Sequence, residues 1–243
     1  MEVQKIIIAH RGASYLAPEN TVASVKLAWE LGADAVEIDV HLTKDDKIMV
    51  IHDGDTKRTC SGRKNLKIAK SSSFLLRDLD AGIWKGEEFK GEKIPYLSEI
   101  IDTIPQGKTL VVEIKSSEVI LDHLAYVLEK NGSNKNMVFI GFDRKTIVAA
   151  KKRFPEHKCY WLSESKSAVK RHITEISTIG LDGININNKI VDQKIMNLAK
   201  AANLDVLSWT IDNPAEAKRL IDLGVSGITT NRPEWLRNEL TKL

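Results

Sequence analysis

Short apolar runs alternate with longer amphipathic segments along most of the chain. Eight of the runs have the length and aliphatic content of β-strands buried on both faces, and they lie at 5–9, 35–40, 109–114, 136–140, 157–161, 181–186, 205–209 and 226–229. The segments with helical periodicity lie near 18–31, 98–104, 117–131, 144–153, 165–178, 190–202, 214–223 and 233–241. Strands that alternate with helices predict a parallel sheet, and eight such units favour closure into a (β/α)8 TIM barrel over an open doubly wound sheet.

Several of the predicted strands turn polar and ionisable where they end. The short run 48–51 does the same, and it is predicted to return along the second strand or to continue it. The residues at these ends are His10, Glu37, Asp39, His52, Glu113 and Lys115. Because the strands of a barrel present their carboxyl ends at one face, we expect these side chains to gather there.

The second strand carries two acidic side chains on one face. Alternate side chains of a β-strand share a face, so Glu37 and Asp39 project together while Ile38 faces the other way. Two carboxylates side by side repel each other, and either a shared proton or a divalent cation relieves the repulsion. This arrangement indicates a metal site.

The segment 54–93 interrupts the alternation. It is rich in Lys, Ser and Gly, contains few apolar residues and shows no strand–helix rhythm. Additional length in a barrel belongs in the loops at the carboxyl ends of the strands. We therefore expect a single (β/α)8 domain over 1–243, a fold for which about 250 residues is typical, with 54–93 as an insertion that caps the polar face.

Composition and charge exclude several kinds of protein. A hydrophobic content of 42% is typical of a globular chain with a large core. The net charge is +3 without a basic stripe, so nucleic acid is not an expected partner. No apolar run approaches ~18 residues, which argues against stable membrane insertion. Cys60 and Cys159 form no disulfide or zinc motif, and the first strand begins too early for a signal peptide, so we expect reduced thiols and a cytoplasmic protein.

Several short motifs occur in a fixed order along the chain, and together they are far more specific than any one of them alone. They are His10-Arg11-Gly12, Pro18-Glu19-Asn20-Thr21, Glu37-Ile38-Asp39, His52-Asp53, Ile94-Pro95-Tyr96-Leu97-Ser98-Glu99, Glu113-Ile114-Lys115, Trp209-Thr210 and Gly227-Ile228-Thr229-Thr230-Asn231. Over nearly its whole length the chain thereby resembles the glycerophosphodiester phosphodiesterase family. The resemblance implies a barrel with an insert after the second strand. It also implies hydrolysis of small glycerophosphodiesters to sn-glycerol 3-phosphate and an alcohol such as choline, ethanolamine or glycerol.

We predict that Glu37, Asp39 and Glu113 bind one divalent cation. A site made of carboxylate oxygens favours a hard ion, Mg²⁺ or Ca²⁺ with Mn²⁺ also possible, over zinc, and the family resemblance supports the same ligands. The alternative is a buried network in which Lys115 or Arg11 neutralises these carboxylates without a metal.

His10 and His52 are the predicted general base and general acid. An imidazole titrates near ~6.5, and hydrolysis of a phosphodiester needs one group to activate the nucleophile and another to protonate the departing alkoxide. A single histidine at a strand end is more often structural, but two that flank a carboxylate pair favour catalysis. The sequence does not fix which is the base, nor whether the nucleophile is water or the neighbouring glycerol hydroxyl.

Two cations and two aromatic residues complete the predicted site. Arg11 and Lys115 are placed to contact the non-bridging phosphate oxygens, Arg as a bidentate fork and Lys as a point charge, and both can also neutralise the carboxylates. Phe142 and Trp209 each follow an apolar strand. They either line the substrate pocket or pack in the core.

Some positions depart from the family pattern or lie at its edge. Asn231 stands where an Asp is common, and Gly141 precedes Phe142 where a Ser is frequent. We expect neither departure to touch the metal or acid–base groups. His41 is predicted to lie outside the ligand set, and Asp53 either orients a histidine or begins the following loop.

The leading hypothesis is a metal-dependent phosphodiesterase, and two other readings remain. A related barrel enzyme acting on lysophospholipids would need an apolar channel or a membrane-facing stripe, which the polar segment 54–93 does not suggest. Loss of a carboxylate or an imidazole would have favoured a barrel that only binds phosphorylated ligands, and none is missing. The sequence carries no signal for an oligomeric state.

Overall fold

Eight parallel strands form a closed barrel in the computed structural model, which describes residues 6–61, 65–132 and 135–242. In order around the ring they are β1 (Ile6–His10), β2 (Ala35–Leu42), β4 (Thr109–Ile114), β5 (Asn136–Gly141), β6 (Lys158–Ser163), β7 (Gly183–Asn187), β8 (Asp205–Trp209) and β9 (Gly227–Thr230). β9 pairs with β1 and closes the ring. The predicted (β/α)8 fold is therefore confirmed; Lys5, the predicted first residue of β1, lies outside the described residues.

Helices connect the strands around the outside of the ring. Within the described ranges they are α1 (Val22–Glu30), α2 (Ser73–Arg77), α3 (Leu97–Ile101), α4 (Ile120–Val127), α5 (Arg144–Arg153), α6 (Lys166–Thr178), α7 (Gln193–Ala201), α8 (Pro214–Leu223) and α9 (Pro233–Leu240). α1 begins later than the predicted 18–31 because Thr21 caps it and accepts a hydrogen bond from Ser24 N at 3.2 Å. The predicted helix 117–131 ends earlier, since a π-helical turn follows α4.

The alternation of side chains along each strand sorts the core into two layers. The outward-facing residues, such as Val36, Ile38 and Val112, pack against the helices in one large cluster. The inward-facing ones, such as Ile8 and Val111, fill the barrel interior in a second, smaller cluster. Continuing the inward series by two residues along β1, β2 and β4 leads to the polar residues at the strand ends.

The segment after β2 is built on a short antiparallel strand. β3 (Ile48–Val50) pairs with β2, with Val50 opposite Val40, so the run 48–51 returns along β2 and does not continue it. Behind β3 a third cluster buries Met49, Ile68 and Ile94 among others. The described part of the segment 54–93 thus contributes Ile68, Leu76 and Ala81 to a small core of its own.

No helix in the part of the chain that the structure describes is both long enough and apolar enough to cross a membrane. Among the described residues, Cys60 and Cys159 are unpaired cysteines. The cytoplasmic location stays a prediction.

Candidate active site

Three acidic side chains meet inside the barrel at the carboxyl ends of its strands. One carboxylate oxygen from each of Glu37, Asp39 and Glu113 lies within 4.8 Å of the others, and all three residues are buried. The strand register explains the meeting, because Glu37 is opposite His10 of β1 and Asp39 is opposite Glu113 of β4. Residues far apart in the sequence therefore become neighbours across the sheet.

Two cations lie against the three carboxylates. Lys115 Nζ is 2.5 Å from Glu113 Oε1 and 3.1 Å from Asp39 Oδ1, and Arg11 Nε is 3.4 Å from Asp39 Oδ2. The backbone N–H of Arg11 donates to Glu37 Oε2 at 3.0 Å. The ion-pair network considered from the sequence is thus present, and it places three carboxyl groups beside two basic side chains.

The loop after β1 is shaped to bring its backbone close to the cluster. Gly12 has φ +81°, and a Cβ there would lie 2.5 Å from Ser24 of α1, so only glycine fits. Asn20 adopts φ 58°, donates to Asp39 Oδ2 at 2.8 Å and accepts from Asp39 N at 3.1 Å. This pair of hydrogen bonds orients the Asp39 carboxylate.

Crowding of the carboxylates changes their proton affinity. Burial, followed by the charges of Asp39 and Glu113, raises the pKa of Glu37 well above its ordinary value. Burial and the charge of Asp39 raise the pKa of Glu113 to about 7. Burial acts in the same direction on Asp39, but Lys115 and Arg11 outweigh it and hold that pKa well below its ordinary value. Without a cation, the cluster therefore retains protons near neutral pH.

The carboxylate cluster fits a divalent cation. Its donors are all carboxylate oxygens, which hard cations prefer. Two buried atoms, Asp39 Oδ1 and Glu113 Oε1, lack a hydrogen bond of good geometry despite the nearby Lys115. A bound cation would satisfy both atoms and balance the excess negative charge, so these residues could hold a metal ion.

His10 is held by a chain of side chains from the far end of the sequence. Its Nδ1 is 2.7 Å from Asn231 Oδ1, and Asn231 Nδ2 donates to Asp212 Oδ2 at 2.5 Å. Burial and the charge of Arg11 lower the pKa of His10 to about 4. The expectation that Asn231 touches no acid–base group is wrong, because β9 lies beside β1 and its end turns toward the His10 ring.

His52 is supported by the segment that follows it. Asp53 Oδ1 lies 2.7 Å from His52 Nδ1, so Asp53 does orient a histidine. Arg58 donates from Nε to Asp53 Oδ2 at 2.8 Å and from Nη1 to Glu19 Oε2 at 2.7 Å. The hydrogen bond from Arg58 lowers the pKa of Asp53 to about 2, which keeps a carboxylate beside the imidazole.

One central cavity joins these groups. Its volume is about 130 Å³, and it is lined by His10, Arg11, Glu37, His52, Glu113, Lys115, Ile140, Phe142, Leu162, Asn185, Trp209 and Thr229. Every predicted site residue lines it except Asp39, which belongs to the carboxylate cluster but is 1% exposed. His41 is not part of the carboxylate cluster, and its Nε2 contacts the His52 carbonyl at 3.0 Å.

The cavity has two unlike walls. Strands β1, β2 and β4 supply the charged wall, and β5 to β8 supply an opposite wall that is mainly apolar. On that wall Phe142 and Trp209 meet edge to face, with ring centroids 5.8 Å apart. Both aromatic residues therefore face the cavity rather than the core alone.

Several polar residues of the site were not predicted from the sequence. The supporting residues are Glu19, Asn20, Arg58 and Asp212, and the cavity-lining ones are Asn185 and Thr229. Glu19 and Asn20 lie in the Pro18–Thr21 motif, which could have indicated them. Thr229 lies in the Gly227–Asn231 motif, which could have indicated it as well. Arg58, Asn185 and Asp212 lie in stretches whose local pattern carries no signal of a partner across the barrel.

Comparison with known proteins agrees with this geometry. A glycerophosphodiester phosphodiesterase from Caldanaerobacter subterraneus subsp. tengcongensis is 33% identical over 249 residues, covering 99% of each chain. The structure of an Oleispira antarctica phosphodiesterase in complex with the product sn-glycerol-3-phosphate matches with TM-score 0.90 at 32% identity, covering 97% of this chain and 96% of that one. A human protein named lysophospholipase D GDPD1 is 24% identical, covering 96% of this chain and 85% of that protein.

The match to a family model is equally extensive. It runs from residue 10, the first histidine of the cavity, to residue 235, within α9. The model is that of the glycerophosphoryl diester phosphodiesterase family. This chain belongs to that family.

Proposed function

We propose that this chain hydrolyses glycerophosphodiesters to sn-glycerol 3-phosphate and an alcohol, with one divalent cation and two histidines. The observation that carries the proposal is the meeting of His10, His52 and the carboxylate cluster at a single cavity. The relative from Caldanaerobacter supports the activity, and the product bound to the Oleispira enzyme supports the same product here.

The charged wall would bind the phosphate. A cation held by Glu37, Asp39 and Glu113, of which Mg²⁺, Ca²⁺ or Mn²⁺ suits the donors, would act as a Lewis acid on a phosphoryl oxygen. Arg11 and Lys115 contribute fixed positive charge toward the other non-bridging oxygens. Their contacts with the carboxylates hold both cations in place before substrate arrives.

Hydrogen bonding suits His10 to the role of base. The Asn231 amide donates to Asp212, which directs its carbonyl oxygen toward the ring. A carbonyl oxygen only accepts, so Nδ1 of His10 carries the proton and Nε2 of the neutral ring keeps its lone pair. The lone pair can take a proton from the nucleophile.

The surroundings of His52 suit the role of acid. The Asp53 carboxylate occupies Nδ1 of His52, so Nε2 is the ring nitrogen that is left to donate a proton to the departing alkoxide. His52 is also about a third exposed, so an alcohol can leave past it to solvent.

We also propose that the insertion 54–93 caps the cavity. Arg58 of this segment contacts Asp53 and Glu19, and Lys85 Nζ donates to the Ser14 carbonyl in the loop after β1 at 2.8 Å. These contacts support a cap that rests on the loops carrying both histidines.

The first prediction concerns the substrate. Purified protein with Mg²⁺, Mn²⁺ or Ca²⁺ is expected to release sn-glycerol 3-phosphate from glycerophosphocholine, glycerophosphoethanolamine or glycerophosphoglycerol. A coupled glycerol-3-phosphate dehydrogenase assay measures the release. Absence of product with every headgroup and metal would reject the proposal.

A second candidate substrate is a lysophospholipid. The segment 54–93 exposes Phe74, Leu75 and Trp84, which provides some of the apolar surface that the sequence did not suggest. The human relative named lysophospholipase D is consistent with it. Because the cavity is small, we expect kcat/KM for lysophosphatidylcholine to be at least roughly tenfold below that for glycerophosphocholine. The reverse order would make lysophospholipids the primary substrates.

A third prediction concerns Asn231. Replacing it with leucine removes the acceptor that fixes the His10 ring, and we expect kcat to fall by roughly tenfold, the value of one hydrogen bond of ~1.4 kcal/mol. The exposed Asn197 of α7 provides the control, and Asn197→Leu should keep full activity. An unchanged kcat in Asn231→Leu would show that the amide does not position His10.

A further inference from the structure

Two side chains of the cavity each carry a polar atom that lacks a partner among the described residues. Asn185 on β7 and Thr229 on β9 are each 2% exposed, and both line the cavity. Among the described residues, Asn185 Oδ1 and Thr229 Oγ1 find no hydrogen-bond partner. Buried polar atoms without a partner cost free energy, so their presence calls for a ligand or water that satisfies them.

The surrounding sheet explains why no protein group serves them. Asn185 is flanked in register by Leu162 and Leu207, and Thr229 is opposite Ile8. Neighbouring polar residues are satisfied: Ser208 Oγ on β8 donates to the Ile186 carbonyl of β7, and Thr230 Oγ1 on β9 donates to Asp212. The cavity is therefore the direction from which a partner for Asn185 and Thr229 can come.

The chemistry of these two groups suits a polyol. A hydroxyl group both donates and accepts, and so do a threonine hydroxyl and an asparagine amide. The charged wall would hold the phosphate, and the mainly apolar wall would contact carbon atoms. Asn185 Oδ1 lies within that apolar wall, and Thr229 Oγ1 lies on β9, between the two walls. The two polar atoms match hydroxyl groups carried on a short carbon chain.

We propose that Asn185 and Thr229 bind the free hydroxyl groups of the substrate's glycerol moiety and thereby select glycerol over alcohols that lack them. This inference rests on the proposed function and adds the residues that determine its specificity. A site built to bind hydroxyl groups discriminates against an analogue without them, because the analogue leaves the buried polar groups unpaired.

Product binding tests the subsite without depending on the order of chemical steps. Isothermal titration with Mg²⁺ present would compare sn-glycerol 3-phosphate with n-propyl phosphate, which has the same carbon chain but neither hydroxyl. The wild-type protein is expected to bind glycerol 3-phosphate roughly 10- to 100-fold more tightly. Asn185→Leu and Thr229→Val are each expected to reduce that ratio at least about threefold, and Thr229→Ser to preserve it.

Thermal unfolding separates this role from a structural one. If Thr229 serves only a ligand, Thr229→Val removes an unpaired buried hydroxyl, so the Tm of the ligand-free protein should stay the same or rise. A clear fall in Tm would assign the hydroxyl to the fold and overturn the proposal. An unchanged affinity ratio in both Asn185→Leu and Thr229→Val would also overturn it.

Glycerophosphocholine turnover by the wild-type protein distinguishes failure of the subsite from failure of the function. Turnover with an unchanged affinity ratio in the variants rejects the subsite alone. No turnover of any glycerophosphodiester rejects the proposed function, and the specificity inference falls with it.

Discussion

Replacing His10 with alanine is expected to lower kcat for glycerophosphocholine by roughly 10²- to 10⁴-fold, the usual contribution of a general acid or base. The ring lines the cavity beside Glu37 and Arg11, and its Nδ1 is held by Asn231. Alanine leaves β1 intact but removes the nitrogen lone pair. Steady-state kinetics with saturating Mg²⁺ measures the change, and circular dichroism checks the fold.

Substrates with different leaving groups distinguish the roles of the two histidines. With a p-nitrophenyl phosphodiester the departing phenolate needs no proton, so His52→Ala should lose much less activity than with glycerophosphocholine. His10→Ala should lose a similar factor with both substrates, because the nucleophile needs a base in either case. His123 of α4 does not line the cavity and provides the control, His123→Ala.

The opposite dependence on the leaving group would reverse the roles assigned to His10 and His52. If His10→Ala is the variant that the good leaving group rescues, His10 is the acid and His52 the base. If neither variant loses activity, the acid–base mechanism is wrong, and the two imidazoles only support the cavity.

Much of the site follows from the sequence because it depends on local regularities. The two-residue period of a strand places Glu37 and Asp39 on one face, and the parallel arrangement brings β4 beside β2. Those two rules predict that Glu113 joins the pair. The return of the chain after Asp46 predicts the position of His52, since β3 pairs back along β2.

The supporting residues could not be predicted in the same way. Asn231 contacts His10 because the barrel closes between its first and last strands, and 221 positions separate them in the sequence. Asp212, which accepts a hydrogen bond from Asn231, lies in the loop between β8 and α8, and no periodic sequence pattern predicts its position. Asn185 Oδ1 and Thr229 Oγ1 are informative because they lack partners among the described residues, a property that no local sequence pattern reveals.

The site contains more carboxyl groups than basic side chains. Three carboxylates lie beside Arg11 and Lys115, and the pKa of Glu37 and that of Glu113 are raised by burial and by neighbouring carboxylates. Protons or a cation must therefore complete the balance. A cation binds only when these carboxylates are ionised, so binding should displace protons.

Removal of the metal by a chelator is expected to lower activity by at least roughly 10³-fold, since the Lewis acid at the phosphoryl group is lost. Adding Mg²⁺, Ca²⁺ or Mn²⁺ should restore activity. Glu113→Gln should weaken metal binding, whereas Glu129→Gln, at an exposed position of the turn after α4, should not. Full activity after exhaustive chelation would leave the carboxylates as an ion-pair network alone.

The raised pKa values give metal binding a definite pH dependence. Folding raises the pKa of Glu113 from its ordinary value of 4.5 to about 7. The metal-free protein therefore loses stability as the pH rises through this interval, because the folded state must give up a proton that it binds more tightly than the unfolded chain does. A bound cation stabilises the ionised form and removes this loss. The increase in Tm on adding Mg²⁺ should therefore grow with pH, and calorimetry in buffers of different ionisation enthalpy should detect proton release near neutral pH. A Tm increase that is independent of pH, without proton release, would mean that the carboxylates are already ionised in the metal-free protein.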